Sequence, residues 1–313
     1  MVNIDHSRNR PRLIVSLMLV FCAAAVLTLL ASCGSSNQGQ SSSSQGQSPS
    51  GNTQTSTVTR PIPTITIKAV DFSFEEPQTV QAGLVDVNFI NTGKEPHQIN
   101  IGRLNDGVTF DQFKTVLDDK SKGPAAALGL MTLYGGANMI SPGGSQEVIL
   151  NLPAGQYASI CFVAGADNVP HYMKGMLTQF TVTGSPGKQD EPKADGDIML
   201  KDFNFTLPSN IQSGPLTLKV TNNGPQPHEV GIIKLAKGVT MQKLLQLMSQ
   251  PNPPAGPPPF ENAGGLGAIK PNSSAWLKLN LQPGNYGTIC FVPDPKTGKP
   301  HVMLGMYASF TVK

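Results

Sequence analysis

The amino-acid sequence predicts an all-β protein made of two tandem β-sandwiches of one design, each with a short helical insertion. The composition is the first reason. The chain of 313 residues has 32 glycines, 27 prolines and only 14% charged residues, a balance typical of β-rich proteins with many turns. The second reason is an internal repeat of about 130 residues, in which short segments of alternating polar and apolar residues recur in one order.

The first 32 residues are predicted to be a secretory signal peptide. Arg8, Arg10 and Arg12 precede a mostly apolar run, and small residues stand before Cys33. This arrangement resembles a bacterial lipobox, which implies cleavage before Cys33 and a lipid on its sulfur. The alternative is an uncleaved membrane helix, because the apolar run is almost long enough to span a bilayer.

Residues 33–61 are predicted to be a disordered tether, because they consist almost entirely of Ser, Gln, Gly, Asn and Thr and cannot form a core. The leader contains three of the 23 basic and one of the 20 acidic residues, so 20 and 19 remain after it. A nearly neutral chain of this kind is not expected to bind nucleic acid. The expected location is extracytoplasmic, with a lipid anchor in the cell membrane.

The two copies of the repeat are assigned to residues 62–183 and 197–313, with residues 184–196 as the linker between them. The linker assignment rests on its charged residues, glycine and proline. Matched strands support the two copies. Residues 85–91 correspond to residues 216–222, both alternating as half-buried strands do, and residues 180–182 correspond to residues 310–312.

Each copy also carries an insertion with one predicted helix. Phe110, Phe113 and Leu117 follow helical spacing, and Thr109 with Gln112 forms the pattern of a capping box. The second copy has the same spacing at Met241, Leu244, Leu245 and Met248. The Gly- and Pro-rich residues 123–144 and 251–271 after these helices are expected to be loops.

The chemistry of the chain is concentrated in one set of residue types that occurs twice. All four histidines after the leader and both cysteines after Cys33 belong to it, and equivalent members lie 129 to 131 residues apart. Two imidazoles, one thiolate and one thioether are the ligands of a blue-copper site. Each residue alone is more often structural, but the repetition in register favours metal binding. The predicted copper ligands are His97, Cys161, His171 and Met176 in the first copy and His228, Cys290, His301 and Met306 in the second.

The segments around these residues resemble those of plastocyanin-like cupredoxins. Residues 91–97 and 222–228 are similar to the first-histidine strand of that family, and residues 157–176 and 286–306 to its ligand loop. The resemblance covers most of residues 62–313. It implies Greek-key sandwiches, type 1 copper at up to two sites per chain, and a second histidine in each loop that lies near the surface as the exit for an electron.

Two departures from the family are visible. The cysteine and the next histidine are separated by nine residues in the first copy and ten in the second, which is closer to copper nitrite reductases than to plastocyanins. Small cupredoxins usually have Asn after the first histidine, where it helps tie the ligand loops together. This chain has Gln98 and Glu229 instead.

The neighbours of the cysteines are apolar. Ile160 and Phe162 flank Cys161, and Ile289 and Phe291 flank Cys290, so these side chains are expected to keep water from the thiolates. No histidine remains for a second copper centre, and we therefore expect that the chain is not an enzyme. A disulfide between the two cysteines is an alternative that would require the repeats to dock face to face.

Three functional hypotheses follow. The first is a membrane-tethered one-electron carrier, which would interact with the membrane through lipidated Cys33 and with redox proteins. The second is a Cu(I) carrier or sequestering protein that meets copper-handling partners, since each loop contains a His-x-Met step, at Met173 and at Met303. The third is a metal-free, cupredoxin-like binding module in which the ligand residues fill the core.

Overall fold

The computed structural model describes residues 59–119, 121–250 and 258–313. The predicted signal peptide, the lipidation site Cys33 and nearly all of the predicted tether lie outside the described residues. Within these three ranges, no helix is both long enough and apolar enough to cross a membrane.

The described residues form 17 strands and three α-helices. Those before residue 184 are β1 Thr64–Val70, β2 Ser73–Glu75, β3 Thr79–Gln81, β4 Gly83–Asn91, β5 Asn100–Leu104, α1 Phe110–Asp118, α2 Gly123–Leu128, β6 Met131–Gly135, β7 Ser145–Leu152, β8 Gly155–Ile160 and β9 Leu177–Thr183. Those after it are β10 Gly196–Lys201, β11 Asn204–Thr206, β12 Gly214–Asn222, β13 His228–Leu235, α3 Met241–Met248, β14 Phe260–Ile269, β15 Ser273–Leu281, β16 Gly284–Ile289 and β17 Tyr307–Val312. Short 3₁₀ helices occupy His171–Lys174 and His301–Leu304.

The strands form two mixed sheets. One has eight strands in the order β11-β10-β12-β15-β7-β4-β1-β2, and the other has nine in the order β17-β16-β13-β14-β6-β5-β8-β9-β3. The predicted all-β fold is confirmed. Strands such as β1 alternate between buried and exposed positions, which is the pattern of a strand with one face on the core.

The two repeats share both sheets. Strand β7 pairs with β15 in an antiparallel ladder, and β6 pairs with β14. Equivalent residues of the two repeats lie opposite each other in these ladders. Val148 pairs with Leu277 and Ala137 with Leu266, and the residues of each pair are 129 positions apart, as the two cysteines are. One cluster of buried apolar side chains extends across both repeats. The sequence predicted one small core for each copy, and the structure joins them.

The Gly- and Pro-rich segments predicted to be loops contain regular structure, and that prediction is wrong. Residues 123–144 include α2 and β6, and the described part of residues 251–271 includes β14. Glycine is needed here for packing. Gly136 and Gly265 have φ of +128° and +135°, and a Cβ on either would collide with a carbonyl oxygen, that of Ile99 or of Val230. These glycines therefore allow the chain to approach a neighbouring strand segment of its own repeat closely.

The predicted helices are confirmed. Thr109 caps α1: its side chain accepts from the backbone N–H of Gln112, and the Gln112 side chain accepts from the N–H of Thr109. Phe113 and Leu117 are buried on the inner face of α1. Thr240 caps α3 in the second repeat. Satisfying the free N–H groups at the first turn is what fixes where each helix begins.

Residues 184–196, predicted to be an interdomain linker, contact the first repeat. The Gln189 side chain accepts from the N–H of Leu84 at 2.6 Å and donates to its carbonyl oxygen at 2.9 Å. Arg60 N–H donates to the Lys188 carbonyl oxygen. The exact domain boundaries stay a prediction, but this segment lies along the edge of the first repeat.

Candidate metal centres

In each repeat the structure brings two histidines and one cysteine together in the core. The ligand atoms of His97, Cys161 and His171 lie within 4.8 Å of one another, and those of His228, Cys290 and His301 do the same. We call these groups centre 1 and centre 2. All six residues are fully buried. Both cysteines are free thiols, in separate centres, so the alternative of a disulfide does not hold.

The distances within the two centres are nearly identical. The Nδ1 atoms of His97 and His171 are 3.0 Å apart, as are those of His228 and His301. The Cys161 Sγ is 3.6 Å from the nearer Nδ1, and the Cys290 Sγ is 3.4 Å from its counterpart. Two ring nitrogens and a sulfur therefore converge on one point in each repeat, where a single small cation could bind all three.

Backbone hydrogen bonds fix the ligand loop of centre 1. Cys161 directly follows β8, and its N–H donates to the Met176 carbonyl oxygen at 3.2 Å. The N–H of Met176 donates to the His171 carbonyl oxygen at 3.0 Å, and the N–H of His171 to that of Val163 at 2.8 Å. Gly175, with φ of +108°, ends the 3₁₀ helix between His171 and Met176. Centre 2 has equivalent bonds from Cys290, His301 and Met306.

The fourth predicted ligand of each centre, Met176 or Met306, is fully buried in the same apolar cluster as the cysteines. His97 lies between β4 and β5, where it exchanges backbone hydrogen bonds with Ile140, and β5 is the neighbour of β8 in the sheet. Of the four predicted ligands of each centre, one thus comes from one segment and three from a single loop. Such an arrangement is set by the polypeptide and not by the metal.

Each ligating ring is oriented by an acceptor on its far nitrogen. The Nε2 of His97 is 2.7 Å from Asp71 Oδ1, and that of His171 is 3.1 Å from Glu95 Oε2. In centre 2 the partners are Asp202 Oδ1 at 2.7 Å and Gln226 Oε1 at 3.1 Å. An acceptor at Nε2 places the proton there and leaves Nδ1 as a free lone pair directed at the centre.

The second histidine of each loop has no exposed surface, and that of centre 1 lies directly beneath the partly exposed side chain of Glu95. The Phe72 ring lies 4.8 Å from the His171 ring, and Phe203 lies 4.9 Å from His301. Both phenylalanines stand in the turn after the first strand of their repeat, directly after the aspartate that binds the first histidine. One turn therefore orients one imidazole and covers the other.

Burial raises the pKa of the Cys161 thiol to about 12 and that of Cys290 well above its ordinary value. Two backbone N–H groups partly counter this by donating to each sulfur, those of Gln98 and Val163 at Cys161 and those of Glu229 and Val292 at Cys290. A buried sulfur with two donors and two lone-pair nitrogens beside it fits a thiolate bound to a cation. Sulfur and imidazole together favour copper, so the residues present fit type 1 copper, at up to two sites per chain.

Glu229 replaces the Asn of the family with a group that also connects two segments. Its Oε1 accepts from the N–H of Phe291 at 2.7 Å, next to Cys290, and its Oε2 accepts from Asn138 of the first repeat at 3.2 Å. Burial raises the pKa of this carboxyl to about 7. The departure noted in the sequence therefore keeps the connection to the cysteine loop in centre 2 and adds one across the repeats.

An apolar cavity of about 150 Å³ lies where the two cysteine loops face each other. Phe162 and Val163 line it from centre 1, Phe291 and Val292 from centre 2, and Glu229 contributes a carboxyl. The aromatic neighbours of both cysteines therefore contact a shared space at the junction of the repeats.

Several functional side chains were missed in the sequence: Asp71, Phe72 and Glu95 in the first repeat and Asp202, Phe203 and Gln226 in the second. The signal was present, because Asp-Phe recurs at residues 71–72 and 202–203. In the sequence analysis this repeated pair supported only the matching of strands between the two repeats. Nothing in one sequence shows that a turn 26 residues before a histidine folds onto that histidine.

Replacing Gly93 with alanine should weaken copper binding at centre 1. The new Cβ would collide with Asp71 Oδ1 and lie 2.8 Å from His97 Nε2, so it would push the two groups apart. Loss of such an orienting contact typically costs about 10- to 100-fold in metal affinity. Competition with a chelator measures the change. Gly129→Ala is the control, because its Cβ would meet nothing closer than 3.3 Å; equal affinities in the two variants would show that Asp71 does not orient His97.

Acid should destabilise the protein prepared without copper. Burial, with the neighbouring His228, lowers the pKa of His301 from 6.5 to about 4, and burial also lowers the pKa of His171 and His228. Between pH 6.5 and pH 4 the unfolded chain therefore binds more protons than the folded chain. The contribution of these histidines to the free energy of unfolding is complete above pH 6.5 and decreases as the pH falls towards 4. His301 alone would contribute about 3 kcal/mol. Glu229, whose raised pKa acts with the opposite sign in this range, is replaced by Gln for the test. Urea denaturation of that variant at a series of pH values checks the prediction, and a flat profile between pH 7 and 5 would contradict it.

Comparison with known proteins found no matching family model and no matching curated protein. Solved structures do match. Auracyanin A, a blue copper protein of Chloroflexus aurantiacus, is 20% identical and covers 40% of this chain and 100% of its own, with a TM-score of 0.28. A multicopper oxidase is 15% identical over 81% of this chain and 89% of its own, with a TM-score of 0.23. A copper nitrite reductase of Nitrosomonas europaea is 15% identical over 81% and 94%, with a TM-score of 0.23.

These matches contradict the prediction that the chain is not an enzyme, because the oxidase and the nitrite reductase are enzymes. We withdraw that prediction. That prediction was based on the histidines of this chain alone. Ligands from a second chain can complete a catalytic centre. Identities and TM-scores are low, so the copper chemistry assigned to this chain rests on its own ligand geometry.

That geometry consists of two mixed sheets and two buried sets of two histidines and one cysteine, with the predicted methionine ligands buried in the same apolar cluster as the cysteines. The sheets and the ligand sets match from one repeat to the other. The chain is a tandem β protein of two matching repeats, each with the residues for a type 1 copper site.

Proposed function

We propose that the protein transfers single electrons on the outer face of the cytoplasmic membrane, to which a lipid on Cys33 tethers it. The observation that carries this proposal is the fixed geometry of both centres. The histidine Nδ1 atoms are already held 3.0 Å apart by Asp71 and Glu95 in one centre and by Asp202 and Gln226 in the other. Bound copper would supply the Cu(I)/Cu(II) couple, and ligands that do not move between the two states favour rapid exchange.

The surroundings of the centres support the same function. The six ligands from His and Cys are fully buried, and Phe72 and Phe203 cover the second histidines. Exclusion of water keeps the thiolates from solvent and influences the reduction potential. The partners would be redox proteins that dock where an edge of a centre comes nearest to the surface.

A second candidate function is transport of Cu(I), and one observation favours it. Met173 and Met303, one turn from the ligating histidines, have 42% and 48% of their surface exposed. Two exposed thioethers beside buried soft ligand sets are suited to passing Cu(I) between the centre and a copper-handling partner.

The test is to express residues 60–313, add Cu(II), and measure copper per chain with the visible and electron-paramagnetic spectra. Two coppers with strong thiolate charge transfer and fast reversible voltammetry would support electron transfer. Cu(I) bound tightly without that band, and given up to apo-partners, would favour the carrier. If the protein binds no copper, both proposed functions are contradicted, and the metal-free binding module is the remaining hypothesis.

The tether is tested separately on the full-length chain. We expect Cys33→Ser to leave the protein without covalent lipid and to shift it out of the membrane fraction. Cys22→Ser, in the leader, is the matched control and should stay membrane-bound. Equal membrane association of the two variants would contradict lipidation at Cys33.

A further inference from the structure

We propose that centre 1 and centre 2 differ in their preference for oxidised copper, because glutamate and glutamine are exchanged around the first histidine of each repeat, and that centre 1 prefers Cu(II) more strongly. This inference rests on the proposed binding of copper at both centres. It concerns how the chain distinguishes the two centres that the repeat makes otherwise alike.

The exchange is visible in the sequence. The first repeat reads Glu95-Pro96-His97-Gln98 and the second reads Gln226-Pro227-His228-Glu229. The two positions that flank the Pro-His pair carry the same two residue types in opposite order. The aspartate at Nε2 of the first histidine and the phenylalanine on the second are the same in both repeats.

The position before the proline contacts a metal ligand directly. Glu95 Oε2 and Gln226 Oε1 each accept from the Nε2 of the second histidine at 3.1 Å. The geometry is the same, and only the charge of the acceptor differs. A carboxylate accepts a stronger hydrogen bond than an amide and gives the imidazole more anionic character. A more basic imidazole stabilises the more highly charged Cu(II), so Glu95 favours oxidation at centre 1.

The amide at centre 2 is fixed in its orientation. The Gln226 Nε2 donates to Asp202 Oδ2 at 3.0 Å and to Asp294 Oδ1 at 3.1 Å. Because both carboxylates accept from the NH₂ group, the carbonyl oxygen must face His301. Centre 2 therefore presents a neutral acceptor by construction.

Other charges near the two centres act less directly. Lys174 lies 4.3 Å from the Phe72 ring at centre 1 and pairs with Asp167 at 2.9 Å, so its charge is balanced; Leu304 stands at the equivalent position in centre 2. Glu229 opposes the proposed order, because it lies near Cys290. Its carboxyl makes no hydrogen bond to a ligand side chain, however, and accepts from Asn138 and from the N–H of Phe291. Asp294 also lies on the side of centre 2, but it reaches His301 only through Gln226. The bond to the imidazole is therefore the larger difference between the centres.

Single-centre chains make the comparison possible. Cys290→Ser leaves only centre 1 to show a thiolate band, and Cys161→Ser leaves only centre 2. Each chain is loaded with Cu(II), its visible band is recorded, and its midpoint potential is measured by reductive titration. We expect a lower midpoint for centre 1. Glu95→Gln should raise this midpoint by about 59 mV. For one electron, that shift corresponds to a ratio of Cu(II) affinity to Cu(I) affinity that is about tenfold lower.

The reciprocal change gives an independent measurement. Gln226→Glu should lower the midpoint of centre 2 by a similar factor, and Glu191→Gln, which removes an exposed charge remote from both centres, should shift neither. Bands in both chains with equal midpoints, with the reverse order, or with no response to either exchange would overturn the inference alone. No band in either chain would instead overturn the proposed copper function on which it depends.

Discussion

Replacing both Cys161 and Cys290 with serine should abolish the intense visible absorption of the copper-loaded protein. That absorption arises from charge transfer between a thiolate and Cu(II), and a hydroxyl group does not provide it. Each single replacement should leave about half of the intensity, because the distances within the two centres are nearly the same. Absorption and electron-paramagnetic spectra of the three variants measure this directly.

The assignment of the band is unambiguous in a chain that begins at residue 60. The remaining two of the four cysteines, Cys22 and Cys33, precede that point. Far-ultraviolet circular dichroism of the serine variants serves as the folding control, since serine is slightly smaller than cysteine and leaves a folded sandwich. A folded double variant that kept the band would show that the ligands are wrongly assigned.

Copper should raise the stability of the protein by several kcal/mol. A ligand that binds only the folded state at about a thousand times its dissociation constant contributes about 4 kcal/mol per site. The ligand pairs come from segments as distant as His97 and Cys161, so the unfolded chain offers no comparable site. The melting temperature is measured with and without Cu(I), and a chelator should reverse the increase.

The control for this prediction is the double serine variant, whose melting temperature should respond much less to Cu(I). A wild-type melting temperature that copper leaves unchanged would contradict metal binding by the folded protein. That result would favour the reading in which His97, His171 and their counterparts are core residues of a binding module.

The sequence was sufficient for the ligand sets because the repeat duplicates them. Cys161 and Met176 alone are ordinary buried residues, but the same four types recur at a nearly constant offset, which chance does not produce. The strands and the cap at Thr109 were predictable for a related reason, since they depend on local alternation and local hydrogen bonds.

The rest depends on contacts that are distant in sequence. The cover over His171 comes from Phe72, about a hundred residues away, and no pattern near His171 predicts that contact. The strands β6 and β14 were also mistaken for loops, because their glycines and neighbouring prolines resemble turns. Their strand conformation is stabilised by pairing with β5 and β13 of their own repeats and with each other across the repeats, and a pattern within one segment does not contain that information.

The junction between the repeats has one further consequence. Equivalent strands pair with each other there, β7 with β15 and β6 with β14, and equivalent residues lie opposite each other. This is the isologous contact of a two-fold symmetric homodimer, formed here inside one chain. A single repeat therefore already carries the edges that a second copy of itself would complete. Joining the copies fixes their stoichiometry at one to one, and it leaves each half free to diverge while its partner keeps the original surface.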